Sequence, residues 1–319
     1  MIDFTVPEYL INYYHTLGIL SIIFNSYGLY LVVFKNSKID TFRYYLLGFQ
    51  LSCTFSDIFL TFGMQPVLLF PICSGFSNGY LSSGLSVCLG SIAAQNKSLC
   101  LCFIRKHQAI AKISTTQIIP NLIFKLIVAL FIIFPFTIGA YFYLCGLSKD
   151  EQYAYITKNY PYYLENFKNL REFHVGVPNR SLVGFFIYIL IGENISVSIT
   201  IYTTIQMFRI LREHRHRLSN ENYNKHRNAI ISLLVQFAVS SMTILPPIEL
   251  TISFWMEFEN IQTYANISIM ILSTHSVINI IVTVATFPAY RKATKQLFCR
   301  KKKVESIIQR QITVSAKVG

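Results

Sequence analysis

The sequence predicts an all-α membrane protein folded as a bundle of seven transmembrane helices. Of its 319 residues, 53% are hydrophobic and 13% are charged, whereas a soluble domain carries about 25% charged residues. The mean hydropathy of +0.44 agrees with a membrane protein. Seven apolar stretches supply the spans, because crossing a bilayer takes about 20 apolar residues. These values exclude a soluble enzyme, a disordered chain and a disulfide-rich secreted scaffold.

Each stretch is long enough to cross with some tilt, and each must be helical because lipid offers exposed backbone groups no partner. The first follows a short N-terminal segment that lacks the basic residues of a signal peptide, so this stretch itself directs insertion. The third contains Gly84, Gly90 and Ser91, small residues that let helices approach closely. The sixth contains Pro246 and Pro247, which predict a kink. In order, the stretches cover residues 13–34, 44–69, 81–103, 122–144, 182–208, 229–256 and 267–287.

The basic residues predict that the N-terminus lies outside the cell and the C-terminus inside. In that orientation the cytoplasmic segments hold three, three, six and nine of the 28 Lys and Arg residues, and the outer loops hold five. The predicted domains are an extracellular N-terminus (1–12), a transmembrane domain (13–287) and a basic cytoplasmic tail (288–319). The longest loop, residues 145–179, carries five tyrosines and either folds over the outer mouth of the bundle or is mobile.

Ionisable residues inside the apolar stretches are candidate functional residues, because a charge within lipid costs several kcal/mol. Asp57, near the middle of the second span, is interpreted either as an ion or conformational switch site or as a carboxylic acid bonded to Ser and Thr neighbours. Glu193 lies midway along the fifth span, and Glu249 follows the proline pair, where a kink opens a cavity. Asp57 and Glu249 are therefore the candidate ligand-pocket residues. Lys97 is predicted to snorkel to the interface, and His275 to be a packed polar residue.

Motifs for catalysis are absent from the sequence, which contains no GxSxG, no HExxH and no phosphate-binding glycine loop. The protein is therefore predicted not to be an enzyme, and no cofactor is predicted. The seven cysteines show no zinc-like spacing, so no metal site is predicted. The net charge of +13 is distributed between the apolar stretches and predicts no nucleic acid partner. A seven-helix channel or transporter remains the alternative, although only the sixth span has an obvious break.

Four N-glycosylation acceptor sequences occur in the chain. The predicted orientation places Asn179 and Asn266 outside, both close to helix ends, so at most one of the two is expected to carry sugar. Asn96 and Asn194 lie within predicted helices and are expected to be unmodified.

Two cysteines, Cys73 and Cys145, are predicted to lie in outer loops, on the oxidising side of the membrane. They form either a disulfide that ties the long loop to the bundle or two free thiols, and Cys88 is a competing partner. Cys299 lies beside four basic residues after the seventh span, a pattern that suits palmitoylation together with a polybasic anchor.

The fifth span continues into a basic segment that is predicted to be partly helical, FRILREHRHRLSNENYNKHRN. Arg209, Arg212 and Arg215 fall on one side of it at helical spacing. This side either docks an acidic surface or a terminal helix of a partner, or attracts the anionic lipids of the bilayer.

Several runs of the chain resemble the nematode serpentine chemoreceptors, in particular the Sri group and its Srh relatives in the Str superfamily. The first run is INYYHTLGILSIIFNSYGLYLVVFKNSKIDTFRYYLLGFQ. Further matches are FGMQPVLLFPICSGFSNGYL after the second span, FIRKHQ at the end of the third and THSVINIIVTVATFPAYRKA at the seventh. The resemblance covers about residues 7–298.

This resemblance implies a G protein-coupled receptor fold, with an external small-molecule ligand and a heterotrimeric G protein as partners. It further implies a multi-pass protein of the plasma membrane, in the ciliated endings of sensory neurons. The function predicted from it is chemosensation.

The coupling surface is predicted where FIRKHQ takes the place of the Asp-Arg-Tyr triplet of rhodopsin-like receptors. The seventh span lacks NPxxY, and Ala289 separates Pro288 from the following tyrosine, which departs from relatives. In a seven-helix bundle these helix ends surround one cytoplasmic opening, which a G protein helix would enter. The residues assigned to coupling are Arg105, Lys106, His107, Arg209, Arg212, Tyr290 and Arg291.

Overall fold

The protein is mostly helical, with one small sheet. The computed structural model describes residues 2–35, 41–81, 84–114, 118–177, 179–241 and 260–297. The helices are α1 (Glu8–Phe34), α2 (Phe42–Ile58), α3 (Leu85–Ser114), α4 (Asn121–Cys145), α5 (Lys149–Asn159), α6 (Leu164–Lys168), α7 (Arg180–Glu213), α8 (Asn220–Ser241) and α9 (Ile261–Thr286). Residues 288–297 are also helical and are called the terminal helix. The strands are β1 (Pro66–Leu68), β2 (Ser74–Ser77) and β3 (Phe173–Val175).

Within the described ranges, six helices are long and apolar enough to cross a membrane. They are α1, α2 with its π-helical continuation Phe59–Met64, α3, α4, α7 and α9. The sixth predicted span corresponds to α8, which is described up to Ser241. The predicted kink at Pro246 and Pro247 and the candidate pocket residue Glu249 lie outside the described residues.

Burial separates a central helix from peripheral ones. In the most apolar part of α3, 67% of the residues are buried inside the protein, against 11% for α4 and for α7. Leu130 and Phe136 of α4 are among the apolar side chains that face outward. Exposed apolar side chains of this kind suit a lipid surrounding, so α3 forms the centre of the bundle and α4 and α7 line its edge.

One end of the bundle, here called the sheet end, carries a cap made of the sheet together with α5 and α6. The strands are antiparallel in the order β1-β2-β3, and Val67, Phe76 and Phe173 are aligned across them. These side chains pack with Ile156 and Phe167 of the two short helices into a separate hydrophobic core. The long loop therefore folds over the mouth. Its strand was not predicted, because runs of three or four residues carry no clear alternation.

The N-terminal segment forms part of this cap. The Phe4 ring packs edge-on against Phe167, with the ring centroids 5.1 Å apart. The Asp3 amide donates to Gln262 Oε1 (3.0 Å), and Gln262 Nε2 donates back to the Asp3 carbonyl (2.6 Å). Tyr14 of α1 is completely buried and donates its hydroxyl to the Pro66 carbonyl of β1. The cap is thus joined to both the first and the last span.

The opposite end, here called the basic end, is closed by the largest hydrophobic core of the described chain. Leu46 of α2, Phe103 of α3, Ile210 of α7 and Leu233 of α8 belong to it, and Tyr290 of the terminal helix completes it. Because these five side chains come from five helices, the basic end is packed shut in this state.

Candidate functional site

A buried polar network occupies the middle of the bundle around Asp57. The Asp57 side chain is fully buried, and its Oδ2 accepts hydrogen bonds from the Ser21 hydroxyl and from Asn25 Nδ2 (3.4 Å). Its Oδ1 has no hydrogen-bond partner among the described residues and lies 3.9 Å from Nδ1 of His275. The carboxylate thus has one oxygen satisfied by α1 and the other facing an imidazole of α9.

The network joins four helices through two relay residues. Oδ1 of Asn25 accepts from Gln50 Nε2 of α2 (2.7 Å) and from the Ser276 hydroxyl of α9 (2.9 Å). Nε2 of His275 lies 2.9 Å from Gln95 Oε1 of α3. A shift of any one of these helices must therefore break or exchange hydrogen bonds in the network. A network of this kind can exist in two alternative sets of hydrogen bonds, each with its own helix positions.

The sequence identified Asp57 but missed most of its partners. Of the two interpretations of Asp57, the structure shows the hydrogen-bonded acid, which is fully buried and accepts from Ser21 and Asn25. The conformational switch stays a prediction. The missed partners are neutral polar residues, whose only signal is their position inside apolar stretches, such as the pair Ser21 and Asn25 four residues apart. His275, predicted to be merely packed, joins α3 to the network.

A second buried polar centre connects α3 with α7. The Lys97 ammonium is almost fully buried and donates to the Gly192 carbonyl (2.9 Å), Glu193 Oε1 (3.0 Å) and the Ser196 hydroxyl (2.7 Å). It also lies 4.3 Å from the ring centroid of Phe134. All three ammonium protons therefore have acceptors, and the aromatic face adds a cation–π contact.

This arrangement corrects the prediction that Lys97 snorkels. That prediction placed the end of the third helix near residue 103, whereas α3 continues to Ser114. The polar residues after position 103 extend the helix beyond its apolar part, so Lys97 lies near the middle of α3. From there the ammonium is held by Glu193 rather than reaching the interface.

Beside this ion pair a narrow polar cleft runs between α3, α7 and α8. Its volume is about 30 Å³, enough for one or two water molecules. Asn96, Glu193, Thr200 and Ser240 contribute polar groups to its walls. The cleft is too small for an organic ligand in this state. The ligand pocket at Asp57 and Glu249 stays a prediction, because Glu249 lies outside the described residues.

The predicted coupling residues divide into exposed and buried groups. Arg209, Arg212 and Arg291 are exposed at the basic end, and Arg105 is half-buried. The other three, Lys106, His107 and Tyr290, are buried. This burial corrects the prediction that all seven form one open surface. Tyr290 belongs to the closed hydrophobic core, and the Lys106 ammonium lies over the ring of Phe42 in that core.

Two of the arginines, the exposed Arg209 and the half-buried Arg105, have side-chain contacts at the basic end. Arg209 Nε forms an ion pair with Glu213 Oε1 at 2.9 Å, one helical turn away. The Arg105 guanidinium donates to the Thr41 hydroxyl and lies 6.0 Å from the ring centroid of Phe124. These surface contacts are weak and exchangeable, so the arginines are available to a partner.

The predicted disulfide is not formed in the structure. The six described cysteines, Cys73 and Cys145 among them, are free. Cys145 Sγ lies 3.0 Å from the Ser181 hydroxyl at the start of α7. Cys73 lies in the connection directly before β2, and its carbonyl accepts from the Gly176 amide. Each residue thus has its own local contacts. Cys299, the predicted palmitoylation site, lies outside the described residues.

The two predicted outer glycosylation sites differ in accessibility. Asn266 lies inside α9, is 2% exposed and accepts a hydrogen bond from the Leu68 amide of β1. The folded protein has no room for sugar at Asn266. The expectation that at most one of the two sites carries sugar stays a prediction. Asn179 caps α7 through its Oδ1, which accepts from the Leu182 amide (2.7 Å) and leaves Nδ2 free for attachment. Asn179 therefore stays the predicted acceptor.

The seven-helix fold agrees with a solved structure. The crystal structure of squid rhodopsin matches with a TM-score of 0.58 over 92% of this chain and 87% of that chain, at 11% sequence identity. At this identity the likeness shows the fold alone, which confirms the predicted seven-helix, receptor-like bundle. Among curated proteins, none has a matching sequence. Residues 1–294 match the family described as serpentine type 7TM GPCR chemoreceptor Sri. This multi-pass membrane protein therefore belongs to the Sri family of serpentine chemoreceptors.

Proposed function

We propose that the protein is a chemosensory receptor that binds a small external chemical and activates a heterotrimeric G protein. The proposed orientation places the sheet end outside the cell and the basic end in the cytoplasm. It is supported by the distribution of basic residues, since the exposed Arg209, Arg212 and Arg291 all lie at the end opposite the cap. The proposed location is the plasma membrane, in the ciliated endings of sensory neurons.

The observation that carries this proposal is the polar network around Asp57. It lies between the capped end and the closed end and links four helices by hydrogen bonds. A ligand shifts a receptor only by its differential affinity for two states. Because a helix shift exchanges hydrogen bonds in this network, a ligand at the sheet end and a G protein at the basic end can bias the same two states.

Activation in this scheme requires the basic end to open. The hydrophobic core there includes Phe103 and Tyr290 and fills the space between the described helix ends. Outward movement of α7 and α8 away from α3 would open this end beside the exposed arginines. A helix-in-groove contact with the G protein would follow, and the arginines would set its encounter rate and partner choice.

The test is a screen of small odorants and water-soluble metabolites in cells that report G protein activation. The wild type is compared with an Arg105→Ala and Arg209→Ala double variant at matched surface expression. An active compound should lose most of its signal in the double variant, while its affinity shifts by no more than about 1 to 3 kcal/mol through linkage. The matched control is Lys168→Ala, which removes an exposed basic residue of the cap and should signal normally.

Three outcomes contradict the proposal in distinct ways. Full signalling from the double variant would mean that Arg105 and Arg209 contact lipid and have no role in coupling. An N-terminal epitope that antibodies reach only after permeabilisation would reverse the orientation. Ionic current or solute movement in liposomes that contain the purified protein and no G protein would favour the channel or transporter alternative.

A further inference from the structure

We propose that the lipid-facing side of α7 is the interface of a parallel homodimer, in which Asn194 pairs with the same residue of a second copy. The proposal is independent of ligand binding and G protein coupling, because it rests only on the surface of α7. A continuous row of exposed residues follows this surface at alternating steps of four and three. The row consists of Ile187, Ile191, Asn194, Ser198, Ile201 and Ile205.

This spacing has a period of 3.5 residues, the period at which two helices pack along a common seam. From Ile187 to Ile205 the seam is about 27 Å long, close to the thickness of the hydrocarbon core. The side of α7 that faces the bundle follows a separate row, which includes Ser196, Thr200 and Thr203. The exposed row is therefore not needed to hold α7 in its own bundle.

Asn194 lies close to the middle of the apolar part of α7 and faces outward. One proton of its Nδ2 is donated to the Leu190 carbonyl at 2.7 Å. Within the described chain, its Oδ1 and second Nδ2 proton have no partner, and the Ser198 hydroxyl one turn further has none either. Unpaired polar groups in hydrocarbon are costly, so this face calls for a hydrogen-bonding partner within the membrane.

A second copy of the chain satisfies these groups best. A carboxamide is both donor and acceptor, so two Asn194 side chains related by a two-fold axis can pair with each other. Two copies in one membrane share the same orientation, so their α7 helices run parallel, as this seam requires. A single Asn within an otherwise apolar seam is known to fix register and favour dimers.

The shape of the surface agrees with this occupant. A shallow groove of about 570 Å³ lies along the seam, and its lining, which includes Leu190, Asn194 and Ile195, comes from α7 alone. Isoleucine side chains of a facing helix would fill such a groove by knobs-into-holes packing. The dry contact surrounds the Asn pair and keeps its hydrogen bonds in a low-dielectric setting.

Cysteine cross-linking in membranes tests the geometry while leaving Asn194 in place. Ile191→Cys and Ile201→Cys are introduced singly into a Cys73→Ser and Cys299→Ser background and oxidised with copper phenanthroline. Both should give a disulfide-linked dimer in several-fold higher yield than Ile132→Cys, an equally exposed position on α4. Equal yields at all three positions would overturn the proposal.

Energy transfer between fluorescently tagged copies tests the role of the amide. In liposomes that contain only this protein, Asn194→Leu should raise the dissociation constant of the dimer about threefold to twentyfold. Asn194→Gln, which keeps the carboxamide, should restore most of the transfer. A protein that is monomeric in such liposomes would overturn the proposal and assign the face to a different membrane protein. A dimer that Asn194→Leu leaves unchanged would overturn the Asn pairing.

Discussion

The two buried polar centres of the bundle differ in how completely their groups are paired. The Lys97 ammonium has three acceptors and an aromatic face, all from the neighbouring α4 and α7. The Asp57 carboxylate lies in a network of four helices and keeps one oxygen without a hydrogen-bond partner among the described residues. A fully paired centre has one preferred arrangement, whereas a partly paired one can exchange partners. We therefore expect Lys97 to govern stability and Asp57 to govern switching.

The largest effect on stability is expected when only one partner of the Lys97–Glu193 ion pair is removed. Glu193→Leu leaves the Lys97 ammonium buried with only neutral acceptors, which should cost about 3 to 5 kcal/mol in the free energy of unfolding. The double variant Lys97→Met with Glu193→Leu removes both charges and should recover most of that loss. Thermal unfolding in detergent micelles measures both. A single variant as stable as the wild type would contradict the view of Lys97 as a stabilising centre.

A smaller loss is expected from added bulk beside the same ion pair. A Cβ at Gly192 would lie 2.2 Å from the Phe134 ring, so Gly192→Ala must displace the ring that covers Lys97. Overpacking of this kind should cost about 1 to 3 kcal/mol.

The matched control for this glycine variant is Gly48→Ala in α2, where a Cβ has nothing within 4 Å. It should stabilise the protein by about 0.5 to 1 kcal/mol, because alanine is the better helix former. If both variants shift the unfolding temperature in the same direction, the close packing around Lys97 is not what limits stability.

The Asp57 network should respond in the opposite way, with a small change in stability and a large one in signalling. Asp57→Asn keeps the size and an acceptor for Ser21 but removes the charge that faces His275. We expect a change in unfolding free energy within about 1 kcal/mol and a change of about tenfold or more in basal or ligand-evoked G protein activation.

The control for Asp57 is Thr54→Val on the same helix, since the Thr54 hydroxyl donates to the Gln50 carbonyl of the α2 backbone. It should leave activation unchanged. Signalling by Asp57→Asn that matches the wild type, at equal surface expression, would mean that the network is structural only.

The smallest expected effect is a pH dependence of the cap, which has no part in either centre. His174 in β3 packs against the Phe142 ring, with centroids 5.2 Å apart, and burial lowers its pKa below the usual value. The folded cap therefore favours the neutral imidazole of His174. As the pH falls below about 6.5, His174 is protonated in the opened cap before it is protonated in the folded cap, which favours opening. The cap should lose up to about 1 kcal/mol between pH 7.5 and 5.5.

Amide exchange of the β3 strand measures this opening. Faster exchange at acidic pH is expected in the wild type, and His174→Gln, which does not titrate, should show no such acceleration beyond the intrinsic effect of pH. An acceleration that is equal in both proteins would show that another group controls the cap.

How far the sequence predicted these centres follows from the physical signals involved. Hydropathy marks the spans because about 20 apolar residues in a row are rare by chance, and a lone acid such as Asp57 is conspicuous within one. The neutral members of the Asp57 network were not predictable, because Asn25, which bonds Asp57, and Gln95, which contacts His275, are ordinary polar residues. The direction in which such residues face depends on helix rotation. Lys97 was misjudged because the apolar stretch ends before the helix does. The length of an apolar stretch reflects the thickness of the bilayer. The end of a helix is set instead by the hydrogen bonds available to its backbone.

The cap and the coupling surface show the same limit. The strands have only three or four residues each, which is too short for an alternation of apolar and polar residues to be recognised in the sequence. The sheet was therefore found only in the structure. The charges of Arg209 and Arg212 predicted exposure correctly, since a guanidinium seeks water. Tyr290 was assigned to the same surface, yet its ring is buried in the closed core, a position that only packing could reveal.

The paired hydrogen bonds between Asp3 and Gln262 join residues that lie 259 positions apart in the chain. These bonds can form only after α9 has been made and has packed into the bundle. The contact of Phe4 with Phe167 involves the cap alone and does not depend on α9. The segment before α1 can therefore dock on the cap first, and its connection to α9 is a late step of assembly.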